Sequence, residues 1–326
     1  MLVEWGLEEL PGVLRRLGIE RPLLITDNVF SHVDVPGVER RFDGAQPHAD
    51  LEGVRAAIDV AADADGLVAL GGGSVIDTTK AVSKELDVPI VSVPTTYAGA
   101  EWTHWYGNRD SETRTKPAGL NARVEGIVYE VGLTTGLPRE ATGGTALNAL
   151  THAAEALYAP GRNARYDELA LAGTREIAEA LPRVLEDGSD REARTLLLQG
   201  AAHAGEAMLA GMAAAHGIAQ VLGGRYGLPH GTMNAISLPP VLRFNQDDPE
   251  AAEAIGRFAD AMGADDAAAR VEELGALFGA GRLRDHGVPE EDLPELAQLS
   301  ADRPATQANP RPVSSDDALQ ILRSVW

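Results

Sequence analysis

In the second half of the chain Asn148 and His152 stand four residues apart, and His216 and Gln220 repeat that interval. Residues four apart share one face of a helix, one turn above the other. His230 follows in Leu228-Pro229-His230-Gly231, which reads as a helix-breaking turn after Gly223-Gly224. Three imidazoles and an amide from two helices and a loop can converge, the geometry of a site that holds a divalent ion with positions open for substrate. The same residues also read as hydrogen-bonded core histidines. His203 reads as core, and His32, His48, His104 and His286 as surface or loop residues.

A second constellation lies earlier. Gly71-Gly72-Gly73-Ser74-Val75-Ile76-Asp77-Thr78-Thr79-Lys80 follows the apolar run Leu67 to Leu70 and leads into Lys80 to Lys84, giving strand, glycine loop, helix. A loop without side chains at a helix N-terminus lets backbone N–H groups approach a phosphate, and the helix dipole favours its charge. The natural ligand is a dinucleotide pyrophosphate. The competing local reading makes Ser74 and Asp77 a variant capping box that closes the helix start. Asp27 ends the strand Leu23 to Asn28, where a carboxylate can receive a ribose hydroxyl pair and repel a 2′-phosphate, favouring NAD over NADP; it also reads as a turn-forming Asp. Thr95 and Thr96 end a further strand, Val88 to Val93, and their hydroxyls suit cofactor phosphate or carboxamide; Thr-Thr is also a common strand terminator.

The elements that must carry these residues alternate in the first half. Leu7 to Leu17 is helical, a short strand falls near Arg40 to Phe42, Leu51 to Ala62 is an amphipathic helix, and Ile127 to Tyr129 is a last short strand. Strands alternating with helices imply a parallel, doubly wound sheet. The stretch from Trp102 to Arg123 reads as irregular. From Thr142 onward the pattern is helical, with breaks at Pro160-Gly161, Gly188-Ser189, Gly223-Gly224, Pro229 and Pro304 to Pro312, and only residues 301 to 313 read as a loop. The expected fold is α/β, with a dinucleotide-binding domain at 1–140 and an all-helical substrate and metal-site domain at 141–326.

Composition narrows the function. The 326 residues carry 49 acidic against 28 Lys and Arg side chains, a net charge of -21, which repels a nucleic-acid backbone. No cysteine is present, so disulfides, thiolate metal sites and cysteine nucleophiles are excluded. Mean hydropathy is -0.13. No apolar run approaches the roughly 18 to 20 residues of a membrane helix, and Met1 to Trp5 lacks a signal-peptide pattern. A cytoplasmic protein without nucleic-acid or membrane partners is expected.

Gly-Gly-Gly-Ser-x-x-Asp-x-x-Lys at 71–80, Pro-Thr-Thr at 94–96, the Asn148–His152 helix, His-Gly-Ile-Ala-Gln-Val-Leu-Gly at 216–223, Pro-His-Gly at 229–231 and Asn309-Pro310-Arg311-Pro312 together resemble the iron-containing (group III) alcohol dehydrogenase family. Pro-Thr-Thr-Tyr-Ala-Gly at 94–99, Asn148 in the first ligand place and His-Ala-Ala-Glu-Ala-Leu-Tyr at 152–158 look most like its maleylacetate reductases. The resemblance implies a Rossmann-like N-terminal domain, a helical C-terminal domain of dehydroquinate synthase-like architecture, a cleft for NAD(P) and substrate, and a homodimer. It makes Asp27, Gly72, Gly73, Ser74, Asp77, Thr95 and Thr96 cofactor contacts and puts Asn148, His152, His216 and His230 in the metal-ligand places.

Two departures bear on the chemistry. The family's first ligand is usually Asp; the neutral oxygen of Asn148 holds Fe²⁺ or Zn²⁺ less well than a carboxylate, although Asn also occurs here in maleylacetate-reductase-like members. Gln220 stands where many members carry a proton-relaying histidine, and an amide is no general acid at neutral pH. Proton transfer then falls to His152, His216 or Tyr97. Glu125 stands near a place where the family has a cationic cofactor contact. The implied activity is hydride transfer from a nicotinamide to a small oxo or enoate carboxylate, anchored by Arg225, Arg109 or Lys116. Reduction of an aldehyde or ketone, and a dinucleotide-binding paralogue without chemistry, stand beside it.

Overall fold

The computed structural model describes residues 1–107 and 118–326. Two compact units divide it, Met1–Thr134 and Thr135–Trp326.

The first unit is built on β1 (Leu2–Trp5), α1 (Leu10–Arg16), β2 (Pro22–Thr26), β3 (Arg40–Phe42), α2 (Leu51–Ala61), β4 (Gly66–Gly71), α3 (Gly73–Leu86), β5 (Ile90–Pro94), β6 (Tyr106–Gly107), β7 (Ala118–Gly119) and β8 (Val124–Tyr129). Six strands form one parallel sheet in the order β1-β8-β5-β4-β2-β3; β6 and β7 pair separately, antiparallel. The alternation of a strand's side chains decides what packs on each face. Leu23, Ile25, Leu67 and Ala69 face a core with Val54 and Ala57 of α2 and Ile76 and Val82 of α3. Leu24, Val68, Leu70 and Val91 face the opposite core with Leu10, Val13 and Leu14 of α1. A sheet covered on both faces is the doubly wound arrangement, and it explains why these strands are unbroken apolar runs. β1 and the β6–β7 pair fall in stretches whose sequence carries no strand signal.

The sheet order fixes where a ligand belongs. The chain passes from β2 outward to β3, then returns past β2 to β4 and continues to β5 on the other side. Successive connections diverge between β2 and β4, which makes that the topological switch point, and ligands bind there beyond the carboxyl ends of the strands.

The second unit is helical: α4 (Arg139–Ala156), α5 (Ala164–Glu186), α6 (Arg191–Ala207), α7 (Ala214–Tyr226), α8 (His230–Asn245), α9 (Pro249–Ala261), α10 (Ala267–Phe278), α11 (Leu293–Ala301), α12 (Pro304–Gln307) and α13 (Ser315–Ser324). Three expectations change. Gly223-Gly224 does not break α7, which runs on to a left-handed cap at Gly227 (φ 69°). His230 is the first residue of α8, because Pro229 takes the N-cap position where its fixed φ and missing N–H cost nothing. The 301–313 stretch contains α12. Among the described residues, no single helix is long and apolar enough to cross a membrane.

Candidate active site

Asp27 follows β2 directly, the glycine loop follows β4, and Thr95 and Thr96 follow β5, so three neighbouring parallel strands deliver them to one edge of the sheet, at the switch point. α3 has Gly72 as N-cap, and no side chain caps it. The competing capping-box reading does not hold: Ser74 Oγ instead accepts from the His48 backbone N–H at 3.0 Å. An uncapped helix start leaves backbone N–H groups for an anion. Gly72 also lets the loop pack on Thr96, since a Cβ there would lie 2.9 Å from Thr96 Cγ2. Thr95 is tied in by its N–H to the Gly71 carbonyl, 3.1 Å. These features fit a dinucleotide's pyrophosphate.

Asp27 uses Oδ1 to accept the Val29 N–H at 3.0 Å, so its turn-forming role is present, with the second oxygen outside that turn. Asp77 is engaged by the protein: Oδ2 accepts from Gly107 N–H at 3.2 Å, and Oδ1 lies 3.5 Å from Lys80 Nζ. Lys80 is fully buried, and its ammonium donates to the carbonyls of Ala100 and Trp105 and to Thr103 Oγ1 at 2.7, 2.9 and 2.8 Å. This pair clamps the 100–107 segment against α3. Tyr97 is fully buried in the same unit.

In the helical unit the four predicted residues do converge, from three helices. Asn148, His152 and Glu155 form a buried stripe on α4, His216 lies in the first turn of α7, and His230 opens α8 at the solvent side. Close approach of α4 and α8 makes this possible, because a Cβ on Gly231 would fall 2.3 Å from the Gly144 carbonyl oxygen. The His152 and His216 rings stack at 4.2 Å and 18°, with His230 at 5.8 Å from His216.

Hydrogen bonds then set the roles of the nitrogens. Asn148 Nδ2 donates to His152 Nε2 at 3.2 Å, and Asn234 Nδ2 donates to His230 Nε2 at 3.2 Å and to Asn148 Oδ1. With the amides in these orientations both imidazoles accept at Nε2, the tautomer that carries the proton at Nδ1. His216 differs: Nδ1 donates to Glu155 Oε2 at 2.6 Å, and its buried Nε2 has no partner among the described residues. Asn234 and Glu155 were not among the predicted residues. Asn234 is four after His230, a spacing hidden by reading His230 as loop. Glu155 is a fully buried carboxylate inside a quoted motif, and its signal was that such a charge is seldom buried without partners.

The set does not fit a dication. The Asn148 oxygen is taken by Asn234, two imidazole lone pairs are taken by amides, and Glu155 is committed to N–H groups of α7. Among the described residues, no group of three or more His, Asp or Glu is arranged to hold a metal ion.

Of the expected substrate anchors, Arg225 is half-exposed near the end of α7 and pairs with Glu295 at 3.3 Å, so a carboxylate already occupies it. Arg109 and Lys116 lie outside the described residues. Gln220 is partly exposed one turn beyond His216, and Glu125 pairs with Arg123 at 3.7 Å.

Residues 3–124 match the family described as iron-containing alcohol dehydrogenase, and residues 142–326 match the C-terminal part of the Fe-containing alcohol dehydrogenase family. The chain is 34% identical to maleylacetate reductase 1 of Rhodococcus opacus over 96% of its own length and 90% of that protein. It superposes on maleylacetate reductase from Rhizobium sp. strain MTP-10005 with a TM-score of 0.88 at 31% identity, covering 100% of this chain and 95% of that one. For the iron-containing alcohol dehydrogenase of Corynebacterium glutamicum the values are 0.90 and 30%, covering 100% and 94%.

Proposed function

This chain belongs to the iron-containing alcohol dehydrogenase family, and from that premise we propose that it is a maleylacetate-reductase-like enzyme that uses NADH to reduce a small oxo or enoate carboxylate without a metal. The observation that carries this reading is the donor set: an amide and imidazole network, closed on itself by Asn148 and Asn234, in a chain whose relatives over nearly its whole length include maleylacetate reductases.

When bound, the nicotinamide supplies a hydride from C4. The protein's residues do the rest. The uncapped start of α3 with Gly72 and Gly73 holds the pyrophosphate, Ser74, Asp77, Thr95 and Thr96 border it, and Asp27 takes the ribose hydroxyls and selects against a 2′-phosphate. Asp77 contributes indirectly, through Lys80 and Gly107, by clamping the neighbouring segment against α3. In the helical unit, His152 and His230 are held in place by the two amides. His216 supplies or takes the proton at Nε2, a buried ring atom with no hydrogen-bond partner among the described residues. This is the role that Gln220 cannot fill. Tyr97, enclosed in the α/β unit, is the weaker choice for a proton donor. The pairing of Arg225 with Glu295 leaves Arg109 and Lys116 as the stronger anchors for a second carboxylate.

A homodimer is part of this reading. β1 is an edge strand with Val3 and Trp5 exposed, and an open edge of that kind favours pairing with a second copy. The test of function is NADH oxidation with maleylacetate beside a panel of small aldehydes. Turnover confined to the aldehydes would replace this reading by an ordinary aldehyde or ketone reductase.

A further inference from the structure

α7 presents His216 from its first turn, yet its own N-terminus has no local cap: Ala213 occupies the N-cap position and offers no side-chain acceptor. The four N–H groups there are satisfied from far away in sequence. Glu155 Oε2 accepts from Ala213 N–H at 2.7 Å, Glu155 Oε1 accepts from Ala215 and His216 N–H at 2.9 and 3.3 Å, and Asn309 Oδ1 accepts from Ala214 N–H at 3.4 Å. The same carboxylate accepts from His216 Nδ1 at 2.6 Å. Both oxygens are thus used twice, in a side chain with 0% exposure. Helix N-termini favour a negative charge, and hydrogen bonds to an ionised acceptor are the strong kind.

We infer that Glu155 is a positioning residue for the reduction: one carboxylate builds the start of α7 and fixes the ring on it, so that His216 points Nε2 at the reacting atoms. The inference rests on the proposed role of His216. Its physical content is that cap and ring share an acceptor. Moving the helix start moves the imidazole, and a partner that cannot accept at Nδ1 turns the tautomer over and puts the hydrogen on Nε2. Glu155 lies on the stripe that carries Asn148 and His152, at intervals of four and three residues, so one face of α4 sets all three ring and amide positions.

Glu155→Gln is the informative change. Its NH₂ cannot accept: in the Oε2 place it faces Ala213 N–H and His216 Nδ1, and in the Oε1 place it faces the Ala215 and His216 N–H groups, so the helix start that carries the ring loses acceptors either way. The expected result is a fall in kcat of at least about 10-fold, on the pattern of carboxylates that orient a working imidazole, with KM for NADH within about twofold, since the cofactor contacts are on the other unit. His216→Ala combined with Glu155→Gln should be no slower than His216→Ala alone, because residues that act as a unit are not additive. The capping role is separated by Ala213→Ser, which gives α7 its own N-cap. In the Glu155→Gln background it should restore Tm and leave kcat low. It also provides a folded protein if Glu155→Gln alone unfolds. Recovery of kcat together with Tm would show that Glu155 only caps the helix, and overturns the inference, as would additive losses. A slow His216→Ala beside a fast Glu155→Gln overturns the role of Glu155 alone. A fast His216→Ala removes the reading of the whole cluster.

Discussion

At the scale of the residue, the chemistry depends on which lone pairs are taken. Asn148 replaces a charged ligand by a group that both donates and accepts, and the structure uses both functions, to His152 and from Asn234. His216 Nε2 is buried and has no hydrogen-bond partner among the described residues. His216→Ala is expected to lower kcat by roughly 10²-fold or more, the range for an acid–base position, measured as steady-state NADH oxidation. The proposed contact of Asp27 with the ribose predicts that NADH is used with a higher kcat/KM than NADPH and that Asp27→Ala narrows the ratio. Equal use of both by the unaltered enzyme would show that this carboxylate does not meet the ribose. The pairing of residues four apart identified Asn148, His152 and His216 from sequence. Asn234 is not legible because Pro229 reads as a helix break that hides its four-residue spacing from His230, and Glu155 because a lone Glu in an alanine-rich helix looks like any solvated charge until its partners, some 60 positions away, are in place.

At the scale of the element, close packing of α4 on α8 holds the two asparagines together. Gly231→Ala would set a Cβ 2.3 Å from the Gly144 oxygen, a backbone atom that cannot swing aside. The expected cost is about 1–3 kcal/mol of stability, as for other overpacked sites, read by thermal unfolding, with a fall in kcat as the Asn148–Asn234 bond opens. A second test concerns α5 and α6. His203 Nδ1 lies 2.7 Å from Glu176, and the side chain is partly exposed where sequence placed it in the core. The hydrogen bond to Glu176 is the main reason its pKa is raised above 6.5. A raised folded pKa means that this contribution to stability is fully present below the unfolded value and is lost as pH rises through the folded value. The Tm advantage of the unaltered protein over His203→Ala should therefore be largest in mildly acidic buffer and shrink above neutral pH. A difference that is constant with pH would assign His203 to packing alone.

The regular elements were legible where pattern and length agreed. β3 at Arg40–Phe42 and α2 at Leu51–Ala61 fall where composition and periodicity put them. Local signals misled where tertiary contacts override them. Gly223-Gly224 are carried inside α7, and Ser74 turns to His48 instead of capping α3. β1, four residues long, is a strand because β8 pairs with it, which no local window contains.

At the scale of the whole molecule there are two compact units, one carrying an uncapped helix start at a switch point and the other a buried polar cluster. With 28 Lys and Arg against 49 acidic side chains, a dicarboxylate substrate needs cationic anchors placed locally against a net charge of -21. The central claim is that this oxidoreductase works through amides and imidazoles without a metal. The measurement that tests it most directly is NADH oxidation with maleylacetate, run as purified, after chelation, and with Fe²⁺ or Zn²⁺ added back. The account predicts the same turnover in all three. Turnover that disappears with chelator and returns with the metal would contradict it and make Asn148 a working ligand.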